Sequence, residues 1–348
     1  MGARAFIAGG VAGPILNDRE RAFFREAEPW GLILFKRNIE TPDQVRRLTE
    51  SFRTAVGRAD APVLVDQEGG RVQRLGPPHW PAYPPGVAYG RLYDRDADEG
   101  LAAARLGGRL IAADLAAVGI DVDCCPVADV PVAGADAVIG GRAYGTSPDK
   151  VAAIAGAIAA GLREGGVLPV VKHVPGHGRA MTDSHYALPV VSADRATLEA
   201  TDFKAFRLLA GLPLAMTAHV VFTAFDPVTP ATTSATMVRQ VIRGLIGFDG
   251  VLMTDDIAMQ ALSGGIAERS RAALAAGCDV VLQCNGSLDD MEAVAAAVPP
   301  LTGEAARRAA GALAWRRPGP EIDLAAARRR FAAMMARAGA DERPMVRS

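Results

Sequence analysis

Residues 170–185, VVKHVPGHGRAMTDSH, carry three of the chain's five histidines together with Lys172 and Asp183. Histidine changes charge near neutrality, so an imidazole held by a carboxylate is suited to moving protons. Asp183 stands two residues before His185. If its carboxylate bonds one ring nitrogen, it fixes the tautomer and raises the basicity of the other. Lys172 and His173 emerge from the apolar run 167–171, where a buried strand would not ordinarily carry them. Pro175, Gly176 and Gly178 then exclude helix and imply a loop. A glycine-rich surface loop with incidental histidines is the competing interpretation. So many chemically active groups at the end of one apolar run favour a site. His173, His177 and His185 could instead ligate a metal, as in a barrel metallohydrolase. Pro175 and Gly176, however, prevent the helix that would put the i, i+4 pair His173 and His177 on one face, and no metal or other cofactor is expected.

Three further segments carry acids or guanidinium groups. Asp255 and Asp256 follow the apolar run 251–253. Neighbouring residues of a strand point to opposite faces, so one of the two can face a site as nucleophile or base. Both also suit the start of a helix at Ile257-Ala258-Met259, and one residue is expected in each role. The segment Asp66-Gln67-Glu68-Gly69-Gly70-Arg71-Val72-Gln73-Arg74 gathers acids and arginines around a Gly-Gly turn, as binding of a polyhydroxylated or acylamino ligand would need. A solvated, salt-bridged loop is the alternative there. Arg142 lies in another glycine-rich loop.

What positions these groups is a series of eight short apolar runs, at residues 5–8, 32–35, 63–65, 120–125, 168–171, 214–216, 251–253 and 280–282. Segments of helical spacing separate most of them, at 19–28, 41–56, 100–118, 150–164, 198–210 and 234–245, with Thr41 before Pro42 and Thr197 before Leu198 as caps. Continuous apolar strands alternating with helices imply a parallel sheet covered by helices. Eight such units predict a single α/β (β/α)8 TIM-type barrel. No G-x-G-x-x-G follows the first strand, which argues against a doubly wound sheet. Seven of the runs end in polar groups: Lys36-Arg37-Asn38, Asp66-Gln67-Glu68, Asp129, Lys172-His173, His219, Asp255-Asp256 and Gln283-Cys284-Asn285. In a barrel these C-terminal strand ends share the face on which active sites are built. The catalytic barrel is expected over residues 1–300. Residues 301–348, with a helix at 324–337, read as a helical cap of the same domain, too short for a core of its own.

Composition narrows the functional class. Lys+Arg number 38 against Asp+Glu 39, half the residues are hydrophobic, and no basic patch suggests nucleic acid. Cys124, Cys125, Cys278 and Cys284 form no C-x-x-C pair and read as buried thiols of a cytoplasmic protein. Residues 5–16 run into Asn17-Asp18-Arg19-Glu20 without a convincing cleavage site and read as a first strand and loop rather than a signal peptide. No apolar run reaches ~18 uncharged residues, so no membrane span is expected.

These residues together resemble family 3 glycoside hydrolases, in particular the bacterial β-N-acetylhexosaminidases of peptidoglycan recycling. The signature of that group runs Lys-His-(aromatic or aliphatic)-Pro-Gly-His-Gly, four variable residues, then Asp-(Ser/Thr)-His. It is matched here from Lys172 to His185, with Val174 in the variable apolar place. Its nucleophile segment is matched by Gly250-Val251-Leu252-Met253-Thr254-Asp255. Two residues depart from the pattern: Leu245 stands where an acidic or amide residue is often found upstream, and Val174 replaces the usual Phe or Ile; neither departure removes a catalytic group. The resemblance runs from the first strand to at least Met259.

The resemblance implies a retaining β-N-acetylhexosaminidase that releases terminal N-acetylglucosamine from peptidoglycan-derived muropeptides. Asp255 would be the nucleophile of a covalent glycosyl-enzyme, and His185, paired with Asp183, the acid/base. Asp66, Arg74, Arg142, Lys172 and His173 would bind the sugar. The Gly176–Thr182 loop would be mobile and close over it. A monomeric cytoplasmic enzyme without cofactor is expected, with a carbohydrate as its partner and neither nucleic acid nor membrane. The rivals are a related phosphorylase, which would pass the sugar to phosphate, a broad β-glucosidase, and a sugar-binding protein without activity. Broad β-glucosidases of the family usually draw their acid/base from a second domain.

Overall fold

The computed structural model describes residues 2–184, 186–317 and 319–339. Eight parallel strands close into a barrel: β1 Arg4–Ala8, β2 Pro29–Leu34, β3 Val63–Val65, β4 Val122–Asp123, β5 Leu168–Val174, β6 Leu214–Thr217, β7 Val251–Asp256 and β8 Val280–Gln283. Each coincides with an apolar run read from the sequence. Neighbours in the chain are neighbours in the sheet, and β1 closes the ring on β8 with Phe6 opposite Val281.

The period of two along each strand sorts side chains between two cores. Ile7, Val170, Leu214, Met216, Val251, Met253 and Leu282 fill the barrel interior. Phe6, Val171, Ala215, Leu252 and Val281 face outward and pack under the helices. Full burial of an aliphatic side chain contributes about 1.5–3 kcal/mol, so this interior layer makes the strand ends a stiff platform. Extending the β7 alternation of Val251 and Met253 by one step brings Asp255 to the inward face at the barrel mouth.

Helix starts follow the local chemistry. Thr41 caps Pro42–Ala55 by accepting from Gln44 N–H. Asn17 and Glu20 form a reciprocal capping box on Asp18–Ala27. Thr197 is not a cap: Asp194 caps the helix Arg195–Ala200 by accepting from Thr197 N–H. The continuous helix expected at 198–210 breaks at Thr201, and a second helix, Asp202–Leu208, follows. An aspartate three residues upstream competes better for the free N–H groups than a threonine already inside the turn. Residues 237–245 wind as a π-helix, Met237–Leu245.

The helix Gly303–Leu313 seals the N-terminal end of the barrel, setting Ala309 and Ala312 against the interior core. Two acids, Asp279 buried and Asp121 partly so, hold this floor. Asp279 pairs with Arg243 at 2.7 Å and Arg308 at 3.1 Å, and Asp121 with Arg53 at 3.1 Å and also with Arg316. The last helix, Leu324–Gly339, packs on the helices Gly86–Arg95 and Ala97–Ala116. Among the described residues no helix is long and apolar enough to cross a membrane. All four cysteines are free and buried.

Candidate active site

Lys172, in phase with Leu168 and Val170 on β5, is buried between two carboxylates. Its Nζ lies 2.9 Å from Asp66 Oδ1 and 2.7 Å from Glu68 Oε1. Each acid holds a second cation. Arg74 Nη2 donates to Asp66 Oδ2 at 3.0 Å, and Arg142 grips Glu68 through two bonds of 2.8 and 2.7 Å. Burial alone would raise the carboxyls of Asp66 and Glu68. Lys172 outweighs it, with Arg74 at Asp66 and Arg142 at Glu68, and both acids are held below their ordinary values. Burial likewise would lower Lys172, yet Asp66 and Glu68 raise it on balance. Five ionised groups thus form one connected network, and Asp66, Arg74, Arg142 and Lys172 of it line a cavity.

A short hairpin carries Glu68 and has Asp66 and Arg74 at its two ends. Gln67–Gly69 pairs antiparallel with Val72–Gln73 across a turn in which Gly69 and Gly70 have φ of 97° and 59°. A Cβ on Gly69 would lie 2.3 Å from Pro84 O, so only glycine fits. Gln67 locks the hairpin base: its Oε1 accepts from Arg74 and Leu75 N–H, each at 3.0 Å, and its own N–H donates to Asp123 Oδ1 at 3.0 Å.

Asp129, at the mouth after β4, organises the histidines. Its Oδ2 is 2.7 Å from His173 Nδ1, and its Oδ1 accepts from His177 N–H at 2.6 Å. His177 Nε2 meets Ser184 Oγ at 3.1 Å. The rings of His173 and His177 stand edge to face, 5.8 Å apart. No helix brings them together; the buried Asp129 does. The Lys172–His173 and Val174–Pro175 peptides are cis. Burial and the neighbouring His173 hold His177 below the ordinary histidine value. Replacing Asp129 by Asn removes the charge facing His173 while keeping an acceptor for His177 N–H. Loss of a charged hydrogen bond predicts a KM about tenfold or more higher, which steady-state kinetics alongside thermal melting will check.

Asp255 and Asp256 face different surroundings, and a tight turn rather than the expected helix follows them. Asp256 is structural. Its Oδ1 accepts from Ala258 N–H at 3.0 Å and Cys284 N–H at 2.9 Å, and its Oδ2 from Asn285 Nδ2 at 2.9 Å. Its carbonyl meets His219 Nε2 at 3.0 Å. Asp255 is left half-buried and facing the cavity, with Oδ1 accepting from Asp256 N–H at 2.7 Å. Burial would raise its carboxyl, but His173, His219 and the Asp256 N–H together hold it below the ordinary value. An ionised carboxylate at the mouth is what a nucleophile requires.

Asp66, Arg74, Arg142, Lys172, His173, Asp183 and Asp255 all line one cavity of about 280 Å³. Seven of the eight site residues named from the sequence therefore converge; the eighth, His185, lies outside the described residues. An adjoining hollow shares Asp66, Arg74 and Asp255 and adds Phe35, Lys36, Arg37 and Asn285. A larger groove of about 740 Å³ runs between the helices Ala97–Ala116 and Pro148–Glu164. Its one acid, Glu164, is already tied to Arg105, and it offers no pair of groups for chemistry. Among the described residues no group of three or more His, Cys, Asp or Glu is placed to hold a metal ion.

The first half of the 176–182 loop is tied to its surroundings in this conformation. Gly178 packs on the Val130 backbone and its carbonyl accepts from Val132 N–H at 3.2 Å. Arg179 Nε donates to the buried Asp202 at 2.6 Å, and Ala180 is buried. Past Ala180 these contacts end, and Met181 is exposed. Glu68, Asp129 and His219 were not singled out as site residues from the sequence. Each stands at a polar strand end, and Glu68 also belongs to the acid- and arginine-rich segment 66–74.

This chain belongs to glycosyl hydrolase family 3: the model of the family's N-terminal domain matches residues 15–309. It is accordingly a glycoside hydrolase. Among its relatives, a β-hexosaminidase of Alkalilimnicola ehrlichii is 42% identical over 282 residues, covering 79% of each chain. A β-hexosaminidase of Chromobacterium violaceum is 39% identical over 302 residues, covering 86% of this chain and 84% of the relative. Among solved structures, NagZ of Neisseria gonorrhoeae in complex with N-trifluoroacetyl-D-glucosamine superposes with a TM-score of 0.84 at 32% identity, over 97% of this chain and 98% of that one.

Proposed function

We propose that the enzyme is a retaining β-N-acetylhexosaminidase that removes terminal non-reducing N-acetylglucosamine from peptidoglycan-derived muropeptides. The observation that carries this is an ionised Asp255 sharing one cavity with the connected cation–carboxylate network of Asp66, Lys172, Arg74 and Arg142. A network in which each cation is already bound to a carboxylate suits a neutral polyol: hydroxyls can donate to carboxylate lone pairs and accept from the ammonium and guanidinium groups. The names of the relatives and the glucosamine derivative bound to the Neisseria structure support an N-acetylhexosamine in this role.

In the proposed reaction Asp255 attacks the anomeric carbon as His185, oriented by Asp183, protonates the leaving oxygen. His185 then takes a proton from the incoming water, which displaces Asp255 and restores the β configuration. Asp66, Arg74, Arg142, Lys172 and His173 hold the sugar ring against both steps. The enzyme would act as a cytoplasmic monomer without a cofactor.

Assaying p-nitrophenyl N-acetylglucosaminide tests this. Hydrolysis unaffected by EDTA, with the β-anomer of the sugar appearing first by NMR, is expected. No hydrolysis, or release of the sugar only as its 1-phosphate in the presence of phosphate, would overturn the proposal. Removing a general acid costs typically about 10²–10⁴-fold, so His185→Ala should lose that much on a muropeptide. An aryl glycoside whose leaving group needs no proton should suffer far less in its first step. Equal activity of wild type and variant on both substrates would remove His185 from the mechanism.

A further inference from the structure

The C-terminal helix Leu324–Gly339 lies wholly beyond the family's matched domain, which ends at residue 309, yet its contacts lead back to the sugar-binding hairpin. Arg328 Nη2 donates to Asp114 Oδ1 at 2.6 Å, and Tyr83 Oη donates to Asp114 Oδ2, also at 2.6 Å. The Phe331 ring sits between those of Tyr83 and Tyr89, 6.2 and 6.3 Å away. Tyr83 is thus gripped at its hydroxyl by Asp114, which Arg328 of the last helix also binds, and across its ring by Phe331 of that helix.

The backbone of Tyr83 in turn holds the hairpin. Its carbonyl accepts from Gly70 N–H at 2.9 Å, at the hairpin turn. Its N–H donates to Gln73 Oε1 at 2.9 Å, and Gln73 Nε2 donates to Leu75 O at 2.8 Å and Pro81 O at 2.7 Å. Gly69 and Gly70 are pressed so closely against Pro84 and Pro85 that neither admits a Cβ. Glu68 precedes this turn and Arg74 follows Gln73, so the segment Tyr83 anchors is the one that presents two members of the charge network.

We propose that Tyr83 is a positioning residue through which the C-terminal helix fixes the Glu68–Arg74 hairpin for substrate binding. The link rests on the assignment of that hairpin to sugar binding given above. It acts on affinity rather than on the chemical step, because Asp255 stands on β7 and shares none of these contacts.

Tyr83→Phe and Arg328→Ala in the full chain test it, with hydrogen exchange of residues 66–75 and steady-state kinetics on p-nitrophenyl N-acetylglucosaminide as readouts. Each variant should exchange faster over 66–75 and show a KM about threefold to tenfold higher, as loss of one such hydrogen bond implies. Its kcat should stay within about twofold. The double variant should add little to either single one, since both act at the Asp114 junction. A lower melting temperature with unchanged exchange, or faster exchange with unchanged KM, would overturn the proposal. Failure of the wild type to hydrolyse the substrate would instead remove the sugar assignment, while the exchange measurement still reads the mechanical link.

Discussion

Asp255→Asn is expected to lower kcat on the order of 10⁴-fold or more while leaving the fold intact. Removal of a covalent nucleophile has effects of that size in enzymes whose other groups remain in place. The amide keeps the shape of the carboxylate and an oxygen to accept from Asp256 N–H, and the structural bonds around Asp256 are untouched. Thermal melting should therefore match that of wild type, which separates lost chemistry from lost structure. A more pointed version uses Asp255→Gly with an activated aryl glycoside and azide. The small anion should enter the vacated space and attack the anomeric carbon, giving an α-glycosyl azide, the product of one displacement instead of two. A β-azide, or full activity in Asp255→Asn, would mean that another group is the nucleophile.

Lys172→Met is expected to have the largest effect on stability, about 3–5 kcal/mol by urea unfolding, because it strands carboxylates that burial would otherwise protonate. Met matches the volume of the lysine stem, so the loss reports charge rather than packing. Asp66 and Glu68 keep Arg74 and Arg142, which sets the effect below that of two wholly unpaired acids. The sign of its pH dependence follows from the depressed Asp66 carboxyl. In wild type the stability that Asp66 contributes is fully present above the unfolded value of about 3.9 and is lost as the pH falls through the lower folded value. The gap between wild type and variant should therefore be wide at neutral pH and close progressively below about pH 4. A variant as stable as wild type at pH 7 would show that the network holds no net charge interaction. Substrate affinity should fall with the stability, since Lys172 also lines the cavity.

Much of this molecule could be read along the chain. Strand positions follow from apolar runs, and a strand's inward face follows from a period of two, which is why the sequence confines the inward acid after Met253 to Asp255 or Asp256. Convergence of Asp66, Arg142, Lys172 and Asp255 follows from the rule that all barrel strands end on one face. Partnerships were less accessible. Asp66 and Lys172 are 106 residues apart, Glu68 and Arg142 are 74 apart, and Asp129 and His173 are 44 apart. Spacing predicts a shared face but not which acid meets which base across it. The Pro/Gly loop shows the same boundary from another side. Its glycines suggested mobility over residues 176–182, whereas Gly178 is a close-packing glycine and Arg179 is pinned by Asp202 from a separate helix.

What the sequence by itself determined is the barrel and the residue types at its mouth, because both depend on short-range periodicity and on groups that would be costly anywhere but in a site. What only the tertiary structure decided is how those charges are shared: Glu68 joining Lys172 to Arg142, Asp129 joining two histidines, and Tyr83 joining the last helix to the binding hairpin. The physical reason is that a buried charge must be paired wherever the chain brings a partner. That partner is chosen by closure of the barrel, not by proximity along the chain.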